Sequence, residues 1–509
     1  MAKHTQVGSE REKIGKFIAD IREQLQVTQK ELAKTLRTSQ SAVARMENGE
    51  QNFSTEMLGK ISQALDRPIL SLSSGMNFEI QGGRKLRGTV KTNTSKNSAV
   101  ALLAASLLNR GRTEFRNMPR IEEVNRVIEV LQSIGVSIRW LAGNDLEVIP
   151  PRKFDLSRLN LESAKKTRSV LLLLGPLIHF LPEFELPHPG GCKLGRRTVR
   201  PHLFALEKFG VRIDTVHDTY RVRSGRLRAA EAVLYEAGDT VTENALVAAA
   251  GIPGKSVIKF ASANYMGQDV CRYLEALGVK VEGIGTTTLT VHGKANISES
   301  VVYYPSEDPI ESMLFLAIAA VTGSGIVIER CPLDFLELEL LKLEKMGFKF
   351  KILRRYKARN GFTELADIRT FPSRLTALEE KIHAQPYPGL NIDNLPFFVP
   401  IATQAKGTTL IHDWTYENRA IYYLELNKLG AEVILADPHR VYVEGPTPLR
   451  AAEVICPPAL RPAVIILIAM LAAPGTSVLR NVYSINRGYE DLVNRLRKLG
   501  AGIRILKGI

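Results

Sequence analysis

Cysteine is scarce: the 509-residue chain has four, Cys192, Cys271, Cys331 and Cys456, far apart in sequence. That excludes a disulfide framework and offers no cysteine spacing for a metal. Long apolar runs are also missing. The two longest, Val170 to Leu181 and Ala463 to Ala473, fall short of the roughly 20 residues a membrane-spanning helix needs, and both are expected as buried helices. Met1 to Lys16 is polar and charged and reads as no secretory leader, so a cytoplasmic location is expected. Charge, by contrast, is abundant and one-sided, with a net of +15. Residues 1–75 carry 11 Lys/Arg against 9 Asp/Glu, so most of the excess lies beyond them. A basic balance favours anionic partners such as nucleotides, phosphorylated substrates or nucleic acid.

Ile14, Phe17, Ile18, Ile21 and Leu25 recur at helical spacing. Thr28 stands three residues before Glu31, a capping box that opens a second helix through Leu36. Ser39 can cap a third helix, Gln40 to Met46, which Asn48-Gly49 ends, and a fourth is expected from Thr55 to Leu65. Two short helices joined by a tight turn make a helix-turn-helix. The run Thr28-Gln29-Lys30-Glu31-Leu32-Ala33, Ser39-Gln40-Ser41-Ala42-Val43, Arg45 and Glu47-Asn48-Gly49 resembles the phage-repressor-like (Cro/C1, XRE) family. That resemblance implies that Gln29, Ser39, Gln40, Ser41 and Arg45 face DNA. It also implies a second copy across a two-fold axis, so a homodimer is an expected partner. A docking module without DNA is the competing reading, since the segment itself carries little net charge.

After Ser71-Leu72-Ser73-Ser74-Gly75 the chain repeats. Ile134-Gly135-Val136, Phe209-Gly210-Val211, Leu277-Gly278-Val279, Met346-Gly347-Phe348, Leu429-Gly430-Ala431 and Leu499-Gly500-Ala501 each read as a helix end, a glycine turn and a new strand. A second strand signature starts at Gly407 and Gly475, with looser copies at Gly111, Gly254 and Gly325. Stretches such as Ala99 to Leu108, Val170 to His179, Ser312 to Val321 and Pro462 to Ala472 are apolar nearly all round, and such helices are buried. Six α/β units with helices inside and sheets outside, in two three-unit lobes, are therefore expected. The basic stretch Lys349 to Arg359 reads as a solvated hairpin.

One loop stands out. Pro189-Gly190-Gly191-Cys192-Lys193-Leu194-Gly195-Arg196-Arg197 places a thiol among glycines and cations. Nearby positive charge favours a thiolate, and paired arginines suit a phosphate or carboxylate. On the loop alone, a reactive cysteine beside an anion site and an incidental Gly-rich turn are equally good readings.

With this loop, the sixfold pattern resembles the enolpyruvyl transferases, in particular the branch whose acceptor is UDP-N-acetylglucosamine. The motifs are Ser95-Lys96-Asn97, Thr167-Arg168-Ser169, Gly190-Gly191-Cys192, Gly195-Arg196-Arg197, Asp393 fourteen residues before Gly407, Glu417-Asn418-Arg419, Leu460-Arg461 and Arg487-Gly488-Tyr489-Glu490. The resemblance implies a two-lobed inside-out α/β barrel of six β-α-β-type units behind a small all-α module. The expected divisions are a helix-turn-helix domain over 1–72, a linker and first strand joining the C-terminal lobe over 73–95, one lobe with the Cys192 loop over 96–304, and the second lobe over 305–509.

It implies enolpyruvyl transfer from phosphoenolpyruvate to UDP-N-acetylglucosamine or a related sugar nucleotide, with no metal or cofactor. Cys192, Asp393 and Lys96 take the catalytic roles. Asn97, Arg168, Arg197, His202, Asp308, Arg419, Arg461 and Arg487 take binding roles. The chemistry fits these types: phosphoenolpyruvate carries a phosphate and a carboxylate that cations must neutralise, and the attacking hydroxyl needs a base. Three departures weaken the match on the acceptor side: Ala459 where the family has aspartate, Thr198-Val199-Arg200-Pro201-His202 after Arg197, and Gly238-Asp239-Thr240 at the nucleotide pocket. They keep open a related acceptor, or a transcriptional regulator whose transferase-like part senses a cell-wall precursor without turnover.

Overall fold

The computed structural model describes residues 27–36, 38–50, 76–190 and 198–507, with scattered positions between 15 and 65. The chain divides into two compact units, 1–75 with the last three residues, and 76–506.

In the first unit, Gln29–Thr35 is a helix whose capping box is complete: the Thr28 side chain accepts from the Glu31 amide, and Glu31 returns to the Thr28 amide. Ser39 caps Gln40–Glu47. The two helices pack through Leu32, Ala33, Val43 and Met46, joined by Ile18, Ile61 and Leu65. The expected fourth helix, Thr55 to Leu65, and most of the first fall largely outside the described residues.

The second unit holds six small sheets. Each of the six repeat glycines has a left-handed φ between 76° and 100°, where a side chain would be strained. The strand after each turn then packs its apolar face inward. Lys96–Ala105, Pro309–Thr322 and Leu460–Ala472 are buried on nearly every face, which puts the sheets outside and these helices inside. Two apolar cores result, one built from residues between 99 and 303, the other from 78–90 and 310–503.

Met76–Gly82 lies between Gly475–Arg480 and Gly502–Lys507, in the sheet of the last repeat. Arg87–Lys91 runs parallel to Gly325–Pro332. The chain therefore begins this unit in the second core, crosses at 92–95, and returns at 304–308. The two crossings are tied by an antiparallel bridge between Thr94 and Glu307.

One expected helix is different. Val170 to His179 is not continuous: Arg168–Leu173 is a 3-10 helix and Leu174–Leu177 a single α turn. Pro176 has no amide to donate to Leu172, and the Gly175 amide is taken by the Asn244 side chain at 2.9 Å. Ala420–Leu429, before the Gly430 turn, is likewise 3-10.

Candidate active site

Lys96 opens the inward helix that follows the first crossing, with Ser95 capping it through the Asn97 and Ser98 amides. Burial holds the Lys96 ammonium below its usual range, and Arg461 and Arg487 add to this, while Glu123 and Asp393 oppose it. Four charged groups from distant parts of the chain thus lie within electrostatic reach of one lysine. Asn97 Nδ2 and Ser95 Oγ both approach the Tyr265 hydroxyl, at 3.4 and 3.1 Å.

Asp393 follows a turn in which its amide donates to Asn391 Oδ1 at 2.8 Å. Arg461 Nη2 donates to Asp393 Oδ2 at 3.1 Å. Arg461 Nη1 donates to the Tyr489 hydroxyl at 2.6 Å. Burial tends to raise the Asp393 carboxyl, but Arg461, Arg419 and Lys96 outweigh it and hold it below the ordinary carboxylate range. It is ionised at neutral pH and weakly basic while Arg461 stays bound.

Asp308 accepts from the Ile310 amide at 2.9 Å at the start of Pro309–Thr322. Burial pushes it up to about 6, against the pull of Arg461. Arg487 lies 3.5 Å from Glu123, which also accepts from Thr167 Oγ1 at 2.5 Å and Ser169 Oγ at 3.3 Å. Arg168 Nη2 donates to the Thr198 carbonyl at 3.1 Å. Cys192 and Arg197 fall in 191–197, outside the described residues.

Two residues expected to bind substrate are tied closely into the surrounding protein. The Arg419 side chain is 1% exposed. It donates to both Asp413 oxygens, at 2.6 and 2.8 Å, and to the Ile392 carbonyl at 2.9 Å. Only its Nη1 points toward the site, 3.9 Å from Asp393, so it steadies the Asp393 turn. His202 is buried against Asn244 at 2.8 Å and Thr240 at 3.3 Å, and burial pushes it down to about 3. A neutral ring in that position shapes the wall.

Sequence reading missed Glu123, Asp413, Tyr265 and Tyr489. Glu123 is the carboxylate that counters Lys96 and Arg487. Its only sequence signal is an acidic pair, Glu122-Glu123, at a helix start, where acids are common anyway.

Ala459 begins Leu460–Ala472 with no side-chain cap. Asp239 heads the helix Asp239–Ala250, which is likewise uncapped. Its oxygens accept from Ser262 at 2.5 Å and Asn264 at 3.5 Å, and burial raises it to about 6.

Six outer sheets around inward helices, with a lysine, arginines and an aspartate gathered between two lobes, define an enolpyruvyl transferase fold and cleft. The chain belongs to the EPSP synthase (3-phosphoshikimate 1-carboxyvinyltransferase) family, whose model matches residues 80–496. A helix-turn-helix model matches residues 18–72. The chain is 33% identical over 429 residues to a UDP-N-acetylglucosamine 1-carboxyvinyltransferase of Bradyrhizobium diazoefficiens, covering 84% of this chain and 98% of the relative. A protein of the same name from Treponema denticola is 32% identical over 439 residues, covering 84% and 99%. Among solved structures, the enolpyruvyl transferase NikO from Streptomyces tendae superposes with a TM-score of 0.74 at 23% identity, over 86% of this chain and all of that one. An EPSP synthase from Acinetobacter baumannii gives 0.66 at 19%, over 85% and 100%.

Proposed function

We propose that the chain transfers the enolpyruvyl group of phosphoenolpyruvate to a hydroxyl of UDP-N-acetylglucosamine, releasing phosphate, as in the first step of peptidoglycan precursor synthesis. The observation that carries this reading is the gathering of Asp393, Arg461 and Arg487 around Lys96.

Phosphoenolpyruvate brings its own anions to Arg461, Arg487 and Lys96. As Arg461 turns to the substrate, Asp393 loses its main counter-charge and becomes a stronger base. The acceptor oxygen attacks C2 and gives up its proton to Asp393, while C3 gains a proton from Lys96 or Cys192. The tetrahedral adduct then loses phosphate from C2 and a proton from C3, which restores the enol double bond on the product. The test is phosphate release with UDP-N-acetylglucosamine, with product mass measured and Cys192→Ala as control. Mass gain of one enolpyruvyl group supports the reading; a folded protein without turnover sinks it.

Ala459, which removes a carboxylate near Lys96, and Thr198-Val199-Arg200-Pro201-His202 after Arg197 favour a second reading, a DNA-binding regulator that senses the sugar nucleotide without turnover. In either reading Gln29, Ser39, Gln40, Ser41 and Arg45 are the proposed DNA contacts. Gln40 Nε2 donates to Gln29 Oε1 at 2.7 Å, and Gln29 Nε2 donates to Glu47 Oε2 at 2.7 Å, so both glutamines are pre-set. Among the described residues no helix is long and apolar enough to cross a membrane.

A further inference from the structure

At the crossing between the two cores lies a cavity of about 340 Å³. Volumes of this order suit small-molecule ligands. Lys91, Arg330, Arg354, Lys357 and Arg359 line it, with Glu307 and Glu329. Most of these charges are already matched. Arg354 is paired with Asp367, Arg330 with Glu307, and Lys91 lies 4.0 Å from Glu329. Lys357 donates to the Phe362 carbonyl at 3.2 Å, and Arg359 stacks over Tyr304 at 6.0 Å. Neither has a carboxylate partner among the described residues, which leaves two positive charges unmatched on one wall.

Glu307 supplies an independent observation. It is only 2% exposed, and its Oε2 has no hydrogen-bond partner among the described residues. A buried carboxylate oxygen without a donor is costly; this one is closed off from the cavity, which Glu307 borders beside its ion pair with Arg330. Its neighbour Asp308 faces Arg461 and the catalytic cleft. Successive residues of an extended segment point to opposite sides, so one crossing serves two sites. Arg330 adds a strained element: its φ is 63°, in the strand whose register shifts between Ile328 and Cys331. Left-handed non-glycine residues persist where surroundings hold them, often at ligand sites.

We propose that this cavity binds a small phosphomonoester and that it acts as an effector site. The phosphate dianion matches Lys357 and Arg359. Two carboxylates in a concave wall disfavour a nucleic-acid backbone, although the hairpin is basic. The ligand is placed to act on the lobes. Lys91 and Glu307 flank the two crossings, and the hairpin Lys349–Lys357 with Glu364–Phe371 reaches across them. There Asn360 Nδ2 lies 3.3 Å from Ser306 Oγ, and Arg272 stacks over Phe362 at 5.5 Å. This inference goes beyond the proposed transfer reaction, and binding is measurable without turnover.

The experiment is calorimetry on the full chain with glucosamine 6-phosphate and glucose 6-phosphate. Binding should be saturable and one-to-one, weakened about tenfold or more when Lys357→Gln and Arg359→Gln are combined, and unchanged in Arg487→Ala. With phosphoenolpyruvate present, the sugar phosphate should shift the KM for phosphoenolpyruvate in the parent chain and not in the double variant. Absence of saturation would overturn the site. So would binding lost in Arg487→Ala but kept in the double variant, because the phosphate would then be in the catalytic cleft. Displacement by a single-stranded oligonucleotide would replace it with a polynucleotide surface, and binding without a KM shift would overturn the effector role.

Discussion

Arg461 holds Asp393 with one amino group and the Tyr489 hydroxyl with the other, at 3.1 and 2.6 Å. The aspartate proposed as base is thus restrained by the arginine proposed to bind phosphoenolpyruvate. Substrate binding has to separate them before the base can act.

Replacing Asp393 by asparagine keeps the shape and removes the base. The expected loss is about a thousandfold in kcat for phosphate release, within the usual range for a general base. The binding of phosphoenolpyruvate should survive or tighten, because Arg461 is released. Single-turnover phosphate release and equilibrium binding check both parts; an unchanged kcat would remove Asp393 from the chemistry.

Asp413 and Arg419 form an ion pair with side chains 0% and 1% exposed, closed by the Tyr423 hydroxyl at 2.5 Å. Removing one member leaves a buried charge alone, which costs about 3–5 kcal/mol. Asp413→Asn and Arg419→Ala should each lower the melting temperature by several degrees, with activity falling through the displaced Asp393 turn. Loss of activity at an unchanged melting temperature would instead make Arg419 a direct substrate contact.

Asp239 gives a signed pH dependence. Burial raises it to about 6, above its value in an unfolded chain. Between about pH 4 and 6 the native state therefore binds the extra proton, and this group's contribution is present at low pH and lost as pH rises through 6. Asp239→Asn does not titrate. The variant should gain stability relative to the parent from pH 4.5 to 7, by about 3 kcal/mol at most. Melting curves at both pH values decide it, and a difference independent of pH would count against a raised Asp239.

In the N-terminal unit, Arg22 Nε and Nη2 reach Glu47 at 2.5 and 3.0 Å, both side chains nearly buried. Glu47→Ala should unfold this unit at a lower temperature. Gln40→Ala should leave its stability unchanged and weaken DNA selected by the parent chain about tenfold, the scale of one base contact. If selection from random DNA recovers nothing, the unit is a docking module.

Much of the fold follows from local pattern. The Thr28–Glu31 box, the six turn glycines and the all-apolar helices are each decided within a few residues, because caps, left-handed turns and burial periodicity are short-range. Residue type in the cleft was legible the same way: lysine, arginines and an aspartate suited to a small dianionic substrate. Their pairing was not. Glu123 meets Arg487 only because the first core's helix Glu122–Ser133 packs beside the last repeat. Arg419 looks like a binding arginine in sequence, and its pairing with Asp413, six residues away, shows only in the folded chain. Glu307 and Asp308 are adjacent acids whose environments diverge only once two lobes cross there. The chain by itself determined which elements form and which charges are available. Tertiary packing decided which charges are paired, buried or left open, since Coulomb energy and desolvation depend on neighbours brought from hundreds of residues away.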